Sequence, residues 1–479
     1  MTDPGIRLHR ENDRRPDPTL GRVSAMRDDP GNPLLLRRMV VRVFFVFIFI
    51  LASLYARPLR AFVLTQDELY GSSTTLGLDI RSYDFLFSGP LLKPPYAPDN
   101  ESPSTLSLTN MRLYFSVEEP WLKVVVHNQL TDQLSSGGIA GLLNVGRGPL
   151  TLRWLPMDWT LVNKDAVFME DSFDWAYVSV VRGPVSVTAG RQPITFGRGK
   201  IWSPMDVIAP FSLTDVDTEY KPGVDALRMD ITPSDRTNLT FVAAAGKWDN
   251  VLSVRGSSFA VRATQGWSAN DSHGASAGIS GGELGFFGGL IRNDKVVGLD
   301  GLLNTSEADL YAEATLTMPD RDSLTPRPPV TGQSVVKGIA GMTFKPADNL
   351  TVSPEVLFNG FGAQTPSDYL RVASSDRMAI GEIYTMGRIY AAETAVWQPY
   401  PLLNLTLATL VNLQDPSALF VPALQYSVAN SAEISAGAYL PAGRLPAVNQ
   451  NPPLLTAPEA RSEFGLYPDF FFLELRLFL

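Results

Sequence analysis

The stretch RLYFSVEEPWLKVVVHNQLTD, residues 112–132, alternates polar and apolar side chains on both sides of a turn at Glu119-Pro120. Three apolar residues before the turn and three after it carry the alternation: Leu113, Phe115, Val117, Leu122, Val124 and Val126. Successive side chains of a β-strand point to opposite faces, so each half of the stretch has one apolar and one polar face. The stretch therefore predicts two antiparallel strands joined by a tight turn.

The same alternation recurs later in the chain, for example over 309–316 and 403–408. A soluble β-sandwich also alternates, but its strands usually have about five or six residues. The segments here run to about ten residues, the length that a tilted strand needs to cross a bilayer. An apolar face turned to lipid and a polar face turned to an aqueous interior explain the pattern. We expect an all-β fold, a transmembrane antiparallel β-barrel.

Composition excludes several classes of protein. The chain has 479 residues, of which 45% are hydrophobic and 19% are charged. Its net charge of −9 argues against a nucleic-acid-binding protein, whose contact face is basic. It contains no cysteine, so disulfides and thiolate metal sites are excluded. We predict neither a cofactor nor a metal site.

The N-terminal region has the layout of a secretory signal. Three arginines, Arg37, Arg38 and Arg42, precede the apolar run VFFVFIFILASLYA at 43–56. This run is shorter than the roughly 20 residues of a spanning helix, although an uncleaved membrane anchor is the alternative. We expect a signal peptide over 37–61, preceded over 1–36 by a disordered or mis-annotated extension.

Short turns and long connections alternate along the remaining chain, as they do in outer-membrane barrels. The first short turns are 119–120, 183–184 and 233–236. The long connections between them include 133–172 and 197–222. We count about 18 strands within a barrel over 62–479, with 274–282 assigned to a turn or to a strand extension. Sixteen strands are the alternative.

The C-terminal stretch FFFLELRLFL, residues 470–479, places large apolar side chains on one face of a strand and Glu474 and Arg476 on the other. It resembles the insertion signal of outer-membrane barrels, although such signals usually end in Phe or Trp and this stretch ends in Leu479. The resemblance implies the bacterial outer membrane as location, with its lipid and the barrel-insertion machinery as partners.

Residues 190–231 depart from the alternation, and their GRQ strand leads into a loop of the form G-x-G, then P-x-D and P. The segment resembles one in large porins of the alginate-export and related outer-membrane families. The resemblance implies that the loop 197–222 folds into the lumen as a constriction lined by Arg198, Lys200 and Asp206. An ordinary extracellular loop is the alternative.

Arg191 does not fit strict alternation, which would point it at lipid at a cost of about 2–4 kcal/mol at the bilayer midplane. We expect a bulge at Gly190 or Pro193 to turn it into the lumen, with a position near the lipid headgroups as the alternative. Other inward charges divide into a basic wall, with Arg228 and Arg262, and an acidic wall, with Glu313 and Glu355. We expect these residues to line the interior, where opposed charges favour dipolar or hydroxyl-rich solutes.

The predicted function is passive passage of polar solutes through an outer-membrane channel. A saccharide or polysaccharide is the solute that the resemblance implies, with export as one direction. The alternative is a non-conducting structural or assembly barrel, for example one for surface-polymer attachment. We expect no enzyme activity, because His127 points into the lumen, away from the lipid-facing surface, and His273 falls in a turn.

Overall fold

The computed structural model describes residues 62–67, 71–88, 104–135, 153–164, 166–211, 220–248, 250–268, 278–320, 333–447 and 459–478. The predicted extension 1–36 and signal peptide 37–61 lie outside the described residues.

Eighteen strands form one closed antiparallel barrel, in which each strand pairs with the next in the chain and β18 pairs with β1. The strands are β1 Ser72–Ser88, β2 Ser104–Glu119, β3 Leu122–Ser135, β4 Val167–Arg182, β5 Val185–Gln192, β6 Val224–Ser234, β7 Thr237–Ala244, β8 Ser258–Ser268, β9 Ile279–Ile291, β10 Asp294–Thr305, β11 Ala308–Met318, β12 Val335–Ala347, β13 Leu350–Asn359, β14 Ile389–Tyr400, β15 Leu403–Asn412, β16 Ser417–Ala429, β17 Ala432–Ala442 and β18 Asp469–Phe478. The 18-strand prediction is confirmed, and the 16-strand alternative is wrong.

Alternation in the sequence corresponds to the two faces of this barrel. On β2, Leu113 is 48% exposed on the outer surface, whereas its neighbour Arg112 is 3% exposed and points inward. The outer surface is a belt of exposed apolar side chains, with Trp154 and Trp159 toward one end and Trp121 and Trp397 toward the other. An apolar belt flanked by aromatic residues is the surface that hydrocarbon and its two interfaces require. In the described part of the chain, no helix has the length and apolar character to span a membrane.

At one end of the barrel, two-residue turns connect the strands, except that residues 269–278 separate β8 from β9, and the other longer connections lie at the opposite end. The hairpin of β9 and β10 is an exception, because Arg292 and Asn293 alone connect these strands at the end with the long connections. Both residues have positive φ, 49° and 73°, as a tight hairpin turn requires. The described part of 274–282 joins β9 at Ile279, which agrees with its assignment as a strand extension.

Several short elements lie outside the ring. The strand Phe62–Asp67 pairs with β1, and the strand Asp158–Lys164 pairs with β4. A two-stranded hairpin joins Lys247–Trp248 to Val251–Leu252. The long connections also contain the short helical segments Pro366–Asp368, Tyr369–Ala373, Asp376–Ala379 and Phe464–Leu466.

Candidate functional site

The connection between β5 and β6 lies inside the barrel. We call its described residues, 193–211 and 220–223, the inner loop. Its apolar side chains Ile194, Trp202 and Met205 are almost fully buried. Trp202 lies 6.2 Å, ring to ring, from Tyr390 of β14. A loop outside the barrel would leave such side chains in water, so their burial against the inner wall stabilises the loop's position.

Glu313, an inward residue of β11, accepts hydrogen bonds from the inner loop. Its carboxylate accepts from the backbone N–H groups of Gly199, at 2.7 Å, and Met205, at 3.3 Å, and also from that of Arg198. Loop N–H groups removed from water need such acceptors, and hydrogen bonds to a charged acceptor are stronger than neutral ones.

Glu355 of β13 holds the adjacent part of the loop. It accepts from the backbone N–H groups of Lys200, at 3.0 Å, and Trp202, at 2.8 Å, and from the hydroxyl of Tyr311, at 3.0 Å. Glu313 and Glu355 are each 2% exposed because the loop covers them. The two carboxylates therefore bind the loop and do not line open space, which corrects the lining role predicted for them.

The GRG sequence at 197–199 fits this docking. Gly197 has φ of +110°, a conformation that residues with a Cβ rarely adopt. At Gly199, a Cβ would lie 1.6 Å from the carbonyl oxygen of Trp202. Both glycines are required for the loop to turn sharply against the two carboxylates.

Basic side chains of the loop differ in their surroundings. The Arg198 guanidinium donates to Asp300 of β10 and to Glu283 of β9, and its side chain is 15% exposed. Lys200 has an exposed side chain. Of the predicted loop residues, Lys200 is therefore a cation open to the lumen, whereas Arg198 is neutralised by wall carboxylates.

Asp206 is buried within the inner loop, in an ion pair with the loop residue Lys221, 2.5 Å away. Burial raises the pKa of the Asp206 carboxyl, against the attraction of Lys221. The next two loop residues, Val207 and Ile208, offer their carbonyl oxygens to Arg292 of the β9–β10 turn, at 2.8 and 3.4 Å. Asp206 thus belongs to the loop's buried attachment, which corrects its predicted position at the narrowest part.

Arg191 has no exposed side-chain surface. It pairs with Asp225, directly opposite on β6, at 2.9 Å, and with Asp158 at 3.1 Å, and it donates to the carbonyl oxygen of Leu155 at 2.7 Å. Neither the pairing of β5 with β4 nor that with β6 shows a register shift, so the bulge we predicted near Gly190 is absent. The segment around residues 155–158 covers the guanidinium, so Arg191 does not line the lumen.

Arg228 and Arg262 point inward from β6 and β8, and each has a carboxylate partner. Arg228 donates to Asp230 at 2.7 and 2.9 Å, and Arg262 donates to Asp300 at 2.9 and 3.0 Å. The predicted opposition of a basic wall and an acidic wall is therefore wrong, because the cations find anions on the same or a nearby strand.

A second contact of the inner loop is with the wall of β1 to β4. The ring of Tyr220 lies 3.7 Å from the guanidinium carbon of Arg112 and 4.8 Å from that of Arg81, which are cation–π distances. Beside it, His127 stacks on Trp175 with 4.5 Å between ring centroids. His127 is thus part of an aromatic cluster, and His273 lies outside the described residues.

Two buried clusters join the long connections at the mouth of the barrel. Burial alone would raise the pKa of Glu382, but the charges of Arg377, Lys337 and Arg292 outweigh it and lower that pKa to about 2. Arg377 also pairs with Asp294 at the start of β10. This cluster ties the connection 360–388 to the β9–β10 hairpin.

Glu463 occupies the second cluster, which joins three connections. Its carboxylate accepts from the backbone N–H of Met386 at 2.9 Å, from Asn412 at 2.8 Å and from the Tyr390 hydroxyl. Its own N–H donates to Asp415 at 2.7 Å. No cation is among these partners, and burial raises the pKa of the Glu463 carboxyl to about 7.

Sequence reasoning missed four acidic residues that pair with the predicted cations: Asp158, Asp225, Glu283 and Asp300. Asp300 was detectable, because it alternates with the outward residues Leu299 and Val297 on β10. Its pairing with Arg198, about a hundred residues earlier, carries no local signal. Within the described residues, no group of three or more His, Asp or Glu side chains is arranged to hold a metal ion.

No protein-family model matches the sequence. No curated protein matches it either. Many solved structures resemble the chain in fold, and three crystal structures among them serve as examples, each at low sequence identity. OccAB1 of Acinetobacter baumannii is 11% identical, with a TM-score of 0.49, over 88% of this chain and 99% of that one. The outer membrane protein OprD from Pseudomonas aeruginosa is 9% identical, with a TM-score of 0.44, over 88% and 97%. The outer membrane protein OpdK from the same organism is 10% identical, with a TM-score of 0.45, over 85% and 98%.

Proposed function

We propose that this chain is a channel of the bacterial outer membrane for passive passage of polar solutes. The observation that carries the proposal is the combination of an apolar outer belt with a charged interior that an anchored loop crosses. The belt suits hydrocarbon, and the polar interior suits water and polar solutes. Insertion by the barrel-assembly machinery and a cleaved signal over 37–61 belong to the same proposal.

The residues assigned to passage are those with surface open to the lumen. Lys200 is exposed, Arg228 is 31% exposed, and Arg198 and Arg262 are partly exposed. Glu313, Glu355 and Asp206 act on passage indirectly, by holding the inner loop in place.

A saccharide is the solute we propose, on two grounds. One is the resemblance of 190–231 to the alginate-export porins, and the other is an interior in which donors and acceptors are both available. Planar-bilayer recording of the purified, refolded protein tests the function. Steady single-channel steps support a channel, whereas an electrically silent barrel leaves a structural or assembly role, such as surface-polymer attachment.

A further inference from the structure

A polar recess of about 330 Å³ opens from the lumen beneath the inner loop. Its lining comes from two loop residues and from inward residues of β6 to β9: Thr195, Phe196, Arg228, Asn238, Thr240, Arg262, Thr264 and Glu283. This volume is at the lower end of the range of small-molecule pockets, about 300–1,000 Å³. The recess therefore has room for one small solute.

Charges around the recess are balanced by direct pairing. The guanidinium groups of Arg198, Arg228 and Arg262 line or flank the recess. Each of them forms a salt bridge with a carboxylate. The carboxylates are Glu283, Asp230 and Asp300, which are equal in number to the cations. Asp300 is shared, because it accepts from both Arg198 and Arg262.

This pairing decides which solutes fit. An anionic solute would have to compete with carboxylates already bonded to the guanidinium groups, and it would lie close to their negative charge. An uncharged solute leaves the ion pairs intact. Between the ion pairs lie neutral groups that both donate and accept hydrogen bonds: Asn238 donates to Thr240 at 3.3 Å, and Thr240 donates to Asp230 at 2.6 Å.

We infer that the recess is a binding subsite for an uncharged, hydroxyl-rich solute of about one sugar ring. The inference rests on the proposed channel function and narrows its solute class. Hydroxyl groups donate and accept, so a polyol bonds both the carboxylate and the guanidinium edges of the recess. The inner loop contributes the roof, through Thr195 and the buried ring of Phe196, whose centroid is 5.9 Å from the guanidinium carbon of Arg262.

Single-channel block by D-glucose and by D-glucuronate, measured at equal ionic strength, tests this subsite. The two probes share a ring and differ in one carboxylate. We expect glucose to reach half-block at a concentration at least about tenfold lower than glucuronate, because one misplaced charge or unpaired polar group costs about 1.4 kcal/mol or more.

Single substitutions test whether the block depends on residues of the recess or on other residues of the barrel wall. Thr264→Val removes one hydroxyl and raises the half-blocking concentration of glucose about 2- to 10-fold, the range of a net hydrogen bond. The matched control is Thr343→Val on β12, whose hydroxyl bonds Ser353 and which does not line the recess. Asp230→Asn leaves Arg228 without its carboxylate and shifts the preference toward glucuronate.

If the half-blocking concentration of glucuronate in the parent protein is equal to or lower than that of glucose, the subsite is refuted. The proposed channel function is not affected by that result. An unchanged glucose-to-glucuronate ratio in Asp230→Asn, or an equal effect of the two threonine variants, also overturns the subsite. An electrically silent parent overturns the channel function and the subsite together.

Discussion

Replacing Glu355 by alanine releases the inner loop from one of its two carboxylate anchors. Three donors lose their acceptor: the N–H groups of Lys200 and Trp202 and the hydroxyl of Tyr311. Hydrogen bonds to a charged acceptor contribute about 1.5–3 kcal/mol each, but removing the buried carboxylate also removes its desolvation cost. We expect a net loss of about 3 kcal/mol in loop docking. This loss multiplies the undocked fraction by about a hundredfold.

Planar-bilayer recording measures the consequence. Undocking of the loop widens the lumen, so Glu355→Ala channels show larger unit conductance or frequent transitions to a larger conductance level. The barrel itself stays closed, because β13 pairs with β12 and β14 through backbone hydrogen bonds. A folded barrel of Glu355→Ala is verified on a gel, where the refolded variant should migrate differently before and after heating, as the parent does.

Glu433→Ala is the matched control. Glu433 is an inward carboxylate of β17 whose partners are Gln425 and Ser427, and the inner loop is not among them. It removes the same charge from the lumen without touching an anchor. Unit conductance and open-channel noise that are the same in Glu355→Ala and in Glu433→Ala would refute the anchoring role of Glu355.

Three further predictions concern other residues. Glu393 is exposed on the outer face of β14, midway between Ile389 and Trp397. Glu393→Leu therefore raises the free energy of unfolding, measured by a folding titration in lipid, by about 1–2 kcal/mol, which is less than the roughly 2–4 kcal/mol that an Arg or Lys costs at the midplane. An unchanged free energy of unfolding would place Glu393 outside the hydrocarbon. The pKa of Glu463 in the folded protein, about 7, is above its ordinary value of 4.5, so its contribution to stability is present at low pH and is lost as pH rises through 7. Proteolysis of the connections at the barrel mouth should be faster at pH 8 than at pH 5, and Glu463→Gln should remove most of that difference. Arg191→Gln leaves Asp225 without its buried cation, so it costs about 3–5 kcal/mol of stability and does not change ion selectivity. Lys200→Gln has the opposite effect, because it shifts the reversal potential toward cation selectivity and leaves stability unchanged. A selectivity shift in Arg191→Gln would contradict the burial of Arg191.

The barrel was predictable from the sequence because its cause is local. Each strand must present one face to an apolar medium and one to water, so the period of two is repeated in every strand, as at Arg112 and Leu113. Turn length adds a second local signal. The strand count follows from these two features alone, and the tight hairpin at Arg292-Asn293 shows that a short connection at the loop end does not disturb it.

Residue environments within the lumen were less predictable. The alternation of side chains along β11 and β13 places Glu313 and Glu355 on the inward face, and this alternation is visible in the sequence. Whether an inward carboxylate meets water or a loop backbone depends on a chain segment more than a hundred residues earlier. Both cases have the same local pattern, so the predicted lining role and the observed anchoring role could not be told apart.

By itself, the sequence determined that this chain closes into a β-barrel with a lipid-compatible outside, since the period of side chains along each strand records which face is apolar. Only the tertiary structure decided which charges remain open. Arg191 is buried against Asp225, Arg198 is shared between Glu283 and Asp300, and Lys200 is exposed. Ion pairing acts over a few ångströms in space and leaves no periodic trace along the chain, so a cation's partner becomes known only when the strands are brought together.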